Sequence, residues 1–108
     1  MTHGDLWWAN VLVDDGGSHL TGVLDWELAA IADPARDFGG LGYLGSDFVD
    51  AALSEYGRLT GGEDAALRHR TRLVFQVREF YGVRYAAQYP EHREMEDAVG
   101  KVRRVIGA

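Results

Sequence analysis

The cluster Asp15-Gly16-Gly17-Ser18 stands between two short apolar runs, Asn10-Val11-Leu12-Val13-Asp14 and Leu20-Thr21-Gly22-Val23-Leu24-Asp25. Apolar and β-branched residues on either side of glycine and small polar residues specify a β-hairpin with a longer loop. This feature constrains the fold most, because a hairpin dictates which distant residues meet. Opposed residues of antiparallel strands have numbers of constant sum. Centring the turn on Gly17 and Ser18 predicts Asp14 opposite Thr21, Leu12 opposite Val23 and Asn10 opposite Asp25. Directly opposed Cβ atoms lie about 4.5–5.5 Å apart. The open end of the hairpin therefore gathers an amide and a carboxylate, with Asp5 one short loop away. A slip of one residue would shift this pairing without separating the ends.

The segment before the hairpin, residues 1–8, lacks strand alternation and carries Gly4 between His3 and Asp5, so it reads as loop. Beyond Trp26 the chain leaves the sheet. Asp33-Pro34 reads as a helix N-cap followed by proline at the first helical position, with Asp37 in the first turn. Gly39, Gly40, Gly42 and Gly45 weaken that helix, predicting a short helix or irregular turns with close backbone packing. Ser46 or Asp47 is the expected cap of a clearer helix through Leu59, in which Phe48, Val49, Ala52, Leu53 and Tyr56 recur at helical spacing. Thr60-Gly61-Gly62 stops it. Residues 63–88 read as the longest helix, with Leu67, Val74, Val77, Phe80, Tyr81 and Tyr85 in a broad apolar stripe interrupted by Gly82. Pro90 ends it and opens a last helix built on Met95, Ala98, Val99, Val102, Val105 and Ile106. The order is loop, hairpin, then three or four helices, an α+β arrangement.

At 108 residues and 46% hydrophobic content the chain suits one small domain or one lobe of a larger one. No apolar run approaches the ~20 residues a membrane helix needs, and no secretory leader is visible, so no membrane partner and a cytoplasmic location are expected. There is no cysteine, hence no disulfide framework or thiolate metal site. A net charge of −6 argues against a nucleic-acid partner, which would call for a clustered basic face. It suits a cationic small molecule, or simply solubility. Arg68, His69, Arg70 and Arg72 read as a solvated helix face, and so does the mixture of Glu91, His92, Arg93, Glu94, Glu96 and Asp97. Glu63 and Asp64 suit the positive end of a helix. Trp7-Trp8 has two readings, a stacking platform for a substrate ring or a wall of the lobe core.

Three linked blocks now come together: His3-Gly4-Asp5, four residues and then Asn10; Val23-Leu24-Asp25-Trp26-Glu27; and Asp33-Pro34-Ala35-Arg36-Asp37-Phe38. In this spacing they resemble the aminoglycoside phosphotransferase and choline kinase-like superfamily, closely over residues 2–38 and only in helix order and length thereafter. The resemblance implies the C-terminal lobe of a protein-kinase-like fold. It implies Asp5 as the catalytic-loop acid that orients an acceptor hydroxyl for in-line attack on a γ-phosphorus. It implies Asn10 and Asp25 as ligands of Mg²⁺ and, through the metal, of the nucleotide phosphates. His3 and Asp37 would support the loop, Asp33 would cap, and Glu27 would approach a second metal position or face water. The implied cofactors are Mg²⁺ and ATP, with GTP left open. The implied partner is a small-molecule acceptor, an aminoglycoside-like antibiotic or a metabolite, and the acidic balance leans toward a cationic one.

Members of that superfamily carry a nucleotide-gripping lobe upstream of the catalytic loop, and Met1 lies at the edge of that loop. The expectation is therefore a single partial domain over residues 1–108, a truncated or misassigned reading frame, inactive as a kinase by itself. The alternative expectation is a non-catalytic helical module that binds a partner or forms a homo-oligomer through apolar surface.

Overall fold

The computed structural model describes residues 1–62, 64–92 and 94–107. Among them, strands β1 (Val11–Val13) and β2 (Leu20–Val23) form one antiparallel pair. Four α-helices follow: α1 (Ala35–Gly40), α2 (Ser46–Thr60), α3 (Leu67–Gln88) and α4 (Met95–Ile106). Single 3-10 turns occupy Trp8–Asn10, Gly42–Leu44 and Pro90–His92. The class is α+β, as the patterning predicts.

The hairpin register differs from the expected one by a residue at Val11 and Leu12 and by two at Val13. Val11 faces Val23, Leu12 faces Gly22 and Val13 faces Leu20, with an irregularity between Leu12 and Val13. Asn10 and Asp25 are consequently not opposed; the Leu24 N–H donates to the Asn10 carbonyl at 2.8 Å instead. The cause is Asp14. Its carboxylate accepts the backbone N–H groups of Ser18 at 2.7 Å and His19 at 3.1 Å, and its carbonyl accepts that of Gly17 at 2.8 Å. An aspartate that captures amides ahead of it closes a tighter loop than strand alternation alone implies. The Asp14 N–H then bonds the His19 carbonyl at 2.9 Å, centring the turn on Gly16 and Gly17, and Gly17 takes the positive φ of 67° this requires.

Three of the four glycines after Pro34 act through close approach, whereas Gly45 faces open space and serves by its positive φ. A Cβ on Gly39 would sit 2.5 Å from Val74 Cγ1, one on Gly42 2.3 Å from the Phe75 ring, and one on Gly40 1.8 Å from the Leu6 carbonyl oxygen. Their absent side chains let α1 lie directly on α3 while touching the loop that precedes the hairpin. The core is small: Ala35, Val49, Leu53 and Leu67, with Phe38, Leu41, Tyr56 and Val74 packed around it.

Several helix boundaries shift for local reasons. Gly45, at φ 96°, takes the N-cap position of α2 with no side-chain cap bond, so neither Ser46 nor Asp47 caps it. Gly61 ends α2 in the left-handed conformation, as expected. Helix α3 begins at Leu67; ahead of it Asp64 forms a turn of its own, accepting the Ala66 N–H on Oδ1 at 3.0 Å. The start assigned to Glu63 and the surface reading of Arg93 fall outside the described residues. Gly82 does not break α3; Ala98 of α4 packs near it. Pro90 opens a 3-10 turn, and α4 starts only at Met95.

The predicted apolar stripe of α3 is largely uncovered. Leu67 is buried, but Val77, Phe80, Tyr81 and Tyr85 are about half exposed, while Thr71, Glu79 and Ala86 fill the buried face. The stripe counted apolar residues, whereas α4 packs on a neighbouring face of α3. No helix among the described residues is long and apolar enough to cross a membrane.

Candidate active site

Helix α1 is the anchor of the site. From its first turn, Asp37 accepts the His3 N–H on Oδ2 at 2.8 Å and the Gly4 N–H on Oδ1 at 2.9 Å. One carboxylate thus holds two successive backbone amides of the loop, and charged acceptors make the stronger class of hydrogen bond. Gly4 has a φ of 91°, and a Cβ there would lie 2.3 Å from the Leu28 carbonyl oxygen, so only glycine fits. Just ahead, Thr2 and Ala30 exchange backbone hydrogen bonds of 2.7 and 3.1 Å, pinning the loop to the segment that follows β2.

His3 is buried and lies edge-on to Trp26, ring centroids 4.7 Å apart. Its Nε2 is 2.7 Å from the Leu24 carbonyl and its Nδ1 is 3.2 Å from the Asp5 backbone nitrogen. A carbonyl can only accept and an amide N–H can only donate, so the proton resides on Nε2 and Nδ1 accepts. The imidazole therefore links the residue before Asp25 to the backbone of Asp5.

Asn10 donates through Nδ2 to the Asp5 carbonyl at 2.9 Å. Because that partner is an acceptor only, the amide orientation is fixed and Oδ1 is left over as a hard oxygen donor. Asp25 is exposed and has a φ of 63°, the one left-handed non-glycine residue among the described residues. Left-handed backbone at a non-glycine residue is strained and tends to mark functional positions. Leu24 is bonded on both sides, N–H to Asn10 and carbonyl to His3, so Asp25 departs from a fixed point. Asp5, Asn10 and Asp25 are thereby tied into one frame despite the register shift. Among the described residues no three His, Cys, Asp or Glu side chains cluster into a metal cage. One carboxylate and one amide oxygen suit Mg²⁺, which keeps waters and substrate phosphates as its other ligands. The donor set fits that ion. Glu27 is exposed.

Asp5 borders two clefts. One, of about 450 Å³, is lined by Asp5, Trp7, Trp8, Tyr43, Arg78 and Lys101. The other, of about 580 Å³, has apolar walls that include Leu28, Val74, Val77 and Tyr81, with Arg78 shared between the two. Arg78 Nη2 is 3.8 Å from Asp5 Oδ1. Trp8 is 59% exposed and meets Trp7 edge to face, so the pair lines an open cleft and does not wall the core. The sequence reading missed Arg78, Tyr43 and Lys101 as neighbours of Asp5. The local signal was a charged pair, Arg78-Glu79, set between apolar residues of the long helix.

Behind the first cleft, Glu79 is buried on α3 and accepts a hydrogen bond from the Tyr43 hydroxyl. Burial pushes its carboxyl above the usual glutamate range, opposed by the positive charges of Lys101 and Arg104. On the far side of α1, the Arg70 guanidinium bonds both Asp33 at 2.6 Å and Asp64 at 2.7 Å. That hydrogen bonding holds both carboxyls below the usual aspartate range. Asp33 also accepts the Ala35 N–H at 2.9 Å, so it satisfies a first-turn amide as expected, but from one residue further out: Pro34 itself holds the N-cap position and Ala35 is the first helical residue.

Residues 1–74 match the model of a family described as the phosphotransferase enzyme family. Viomycin phosphotransferase of Streptomyces vinaceus is 29% identical over 105 residues, covering 95% of this chain and 36% of that protein. The uncharacterized protein YcbJ of Bacillus subtilis (strain 168) is 40% identical over 62 residues, 57% of this chain and 20% of that protein. The chain spans well under half the length of either relative. The matched residues contain the whole of the Asp5, Asn10, Asp25 and Asp37 frame, and the chain belongs to the phosphotransferase enzyme family.

Proposed function

We propose that this chain carries the acceptor-orienting and metal-binding half of an ATP- and Mg²⁺-dependent small-molecule kinase site. The observation that carries the reading is the frame in which His3 and Asp37 lock the loop bearing Asp5 to the strand ends bearing Asn10 and Asp25. Asp5 accepts the hydrogen bond of a substrate hydroxyl. The hydroxyl oxygen bonds the γ-phosphorus, the bond to the β-phosphate oxygen breaks, ADP leaves, and the hydroxyl proton passes to the Asp5 carboxylate. Asn10 Oδ1 and the Asp25 carboxylate would hold magnesium, which supplies charge neutralisation on the transferring phosphates. Most of the rate then comes from position and charge rather than from strong basicity. The acceptor class spans hydroxylated antibiotics and metabolites. Adenine and ribose would be gripped by sequence outside these 108 residues, and the chain by itself would not turn over.

The test uses Mn²⁺ as a paramagnetic stand-in for Mg²⁺, added with ADP to the isotope-labelled chain. Broadening centred on the Asn10 side-chain amide and the Asp25 backbone amide, and lost in Asp25→Asn, is expected. Broadening elsewhere, or none that responds to that substitution, would sink the metal assignment. A second reading, self-association without catalysis, is favoured by the half-exposed Leu24, Trp26 and Leu28 and by the almost fully exposed Ile31. Sedimentation decides it, and a monomer at all concentrations removes it.

A further inference from the structure

The cleft on the tryptophan side of Asp5 has a composition of its own. Trp7 and Trp8 come from the loop, Tyr43 from the 3-10 turn after α1, Arg78 from α3 and Lys101 from α4. Four separate segments thus converge on one acid. Its aromatic groups offer flat apolar faces with a polar edge, the chemistry that stacks on rings. Its charges are those of Asp5, Arg78 and Lys101, so the described lining carries one acid and two cations. Arg78 is committed only loosely to Asp5, at 3.8 Å. The Lys101 ammonium is 2.7 Å from Asp97, yet its side chain remains 48% exposed on the rim. Glu79, the acid behind this wall, is buried and accepts a hydrogen bond from the Tyr43 hydroxyl, so it faces away from the open side of the cleft's lining. The lining residues themselves thus carry one more positive than negative charge, with Asp97 beside Lys101 on the rim, in a chain whose overall charge is −6.

We propose that this cleft is the acceptor subsite, and that it takes a hydroxyl-bearing molecule with a flat ring and an anionic group rather than a polycation. The ring lies against Trp7 and Trp8, the anionic group meets Lys101 and Arg78, and the hydroxyl reaches Asp5. A polycation would bring like charges against two side chains and find a single acid. The proposal rests on the kinase reading for the role of Asp5, while the chemistry of the cleft stands on its lining.

The test is a titration of the isotope-labelled chain with three probes of one shape: 4-(hydroxymethyl)benzoate, benzyl alcohol and 4-(aminomethyl)benzyl alcohol. The three indole N–H signals, assigned by single Trp→Phe substitutions, report position. The benzoate is expected to shift the Trp7 and Trp8 signals and leave Trp26 still, and to bind more tightly than the neutral and cationic analogues. Lys101→Gln should weaken the benzoate by about threefold to fivefold, the range of an exposed ion pair, and leave benzyl alcohol unchanged. Trp8→Ala, at an exposed position, should weaken all three. Equal or tighter binding of the cationic probe, shifts confined to Trp26, no shift with any probe, or no response to Lys101→Gln each overturns the proposal. Neither nucleotide nor metal is present, so the outcome is independent of phosphoryl transfer. The Mn²⁺ experiment can fail while this one succeeds, and the reverse.

Discussion

Replacing Asp37 should do more damage than a half-buried, solvent-reachable aspartate normally would. Its two oxygens take the N–H groups of His3 at 2.8 Å and Gly4 at 2.9 Å, across 34 and 33 residues of sequence. Hydrogen bonds to a charged group contribute about 1.5–3 kcal/mol each, so the pair sums to roughly 3–6 kcal/mol. Adjacent bonds to one carboxylate are not independent, and water reaches part of the site, which brings Asp37→Ala to about 2–4 kcal/mol. A small domain has on the order of 5–15 kcal/mol in all. With a urea dependence near 1.5 kcal/mol per molar, a 3 kcal/mol loss lowers the midpoint by about 2 M at unchanged slope. Asp37→Asn keeps one acceptor and sets its NH₂ against the other N–H, so it should fall between Ala and wild type. Hydrogen exchange supplies the local readout: the His3 and Gly4 amides should lose protection in both variants before the amides of α3 do. A loss below about 0.5 kcal/mol, ordinary for a surface position, with unchanged exchange at both amides, would refute the anchoring role.

Three further outcomes are expected. Gly40→Ala places a Cβ 1.8 Å from the Leu6 carbonyl oxygen, a backbone atom that cannot swing aside, and should cost about 1–3 kcal/mol and displace the loop before Trp7; thermal melting within 1 °C of wild type, less than about 0.5 kcal/mol for a chain of this size, would contradict it. Glu79 has a raised folded pKa, so its contribution to stability is present below the ordinary glutamate range, about 4.3, and is lost as pH rises through the folded value. Glu79→Gln keeps an acceptor for Tyr43 and should gain on wild type between pH 4 and pH 7 in urea midpoint, whereas a gap that does not change with pH would count against burial as the cause. For Asp33 and Asp64 the sign is opposite: their folded values are lowered, so their contribution is present above the ordinary aspartate range, about 3.9, and disappears as pH falls through the folded values. Arg70→Gln should therefore flatten the acid limb of the stability curve while leaving its shape near neutrality unchanged, and an identical acid limb in both proteins would show the bridge to be inert.

Different parts of this architecture were legible to different degrees, for physical reasons. The hairpin was legible because Val11, Leu12 and Val13 and their partners need nothing beyond local pattern and a turn. Its register was not, because Asp14 competes for the amides of Ser18 and His19, and periodicity carries no term for that competition. Three of the four glycines after Pro34 announced close packing correctly, since no other residue tolerates it at Gly40. The stripe on α3 misled because apolar spacing names a face without naming what covers it. Arg78 and Lys101 come to the cleft beside Asp5 only through the packing of α3 and α4, and nothing near position 5 encodes that meeting.

The register shift also shows what holds the candidate site together. Had opposition across the hairpin set the distance between Asn10 and Asp25, a one-residue shift would have moved the carboxylate to the other face of the ladder. Here the hairpin is exposed on both faces, Leu12 and Val13 on one strand and Leu20 on the other, so burial cannot be what fixes it. Positions are set by side chains bonded to backbone: Asn10 to the Asp5 carbonyl, His3 to the Leu24 carbonyl and the Asp5 N–H, and Asp37 to His3 and Gly4. Helix α1 holds the loop through Asp37, the strand end holds it through the Leu24 carbonyl, and the His3–Asp5 and Asn10–Asp5 bonds brace it from within. The shared member is His3, which takes part in both the Asp37 and the Leu24 links. Geometry at Asp5 and Asp25 should therefore fail together when His3 is replaced, and separately when Asn10 is, even though Asn10 lies between the two in sequence.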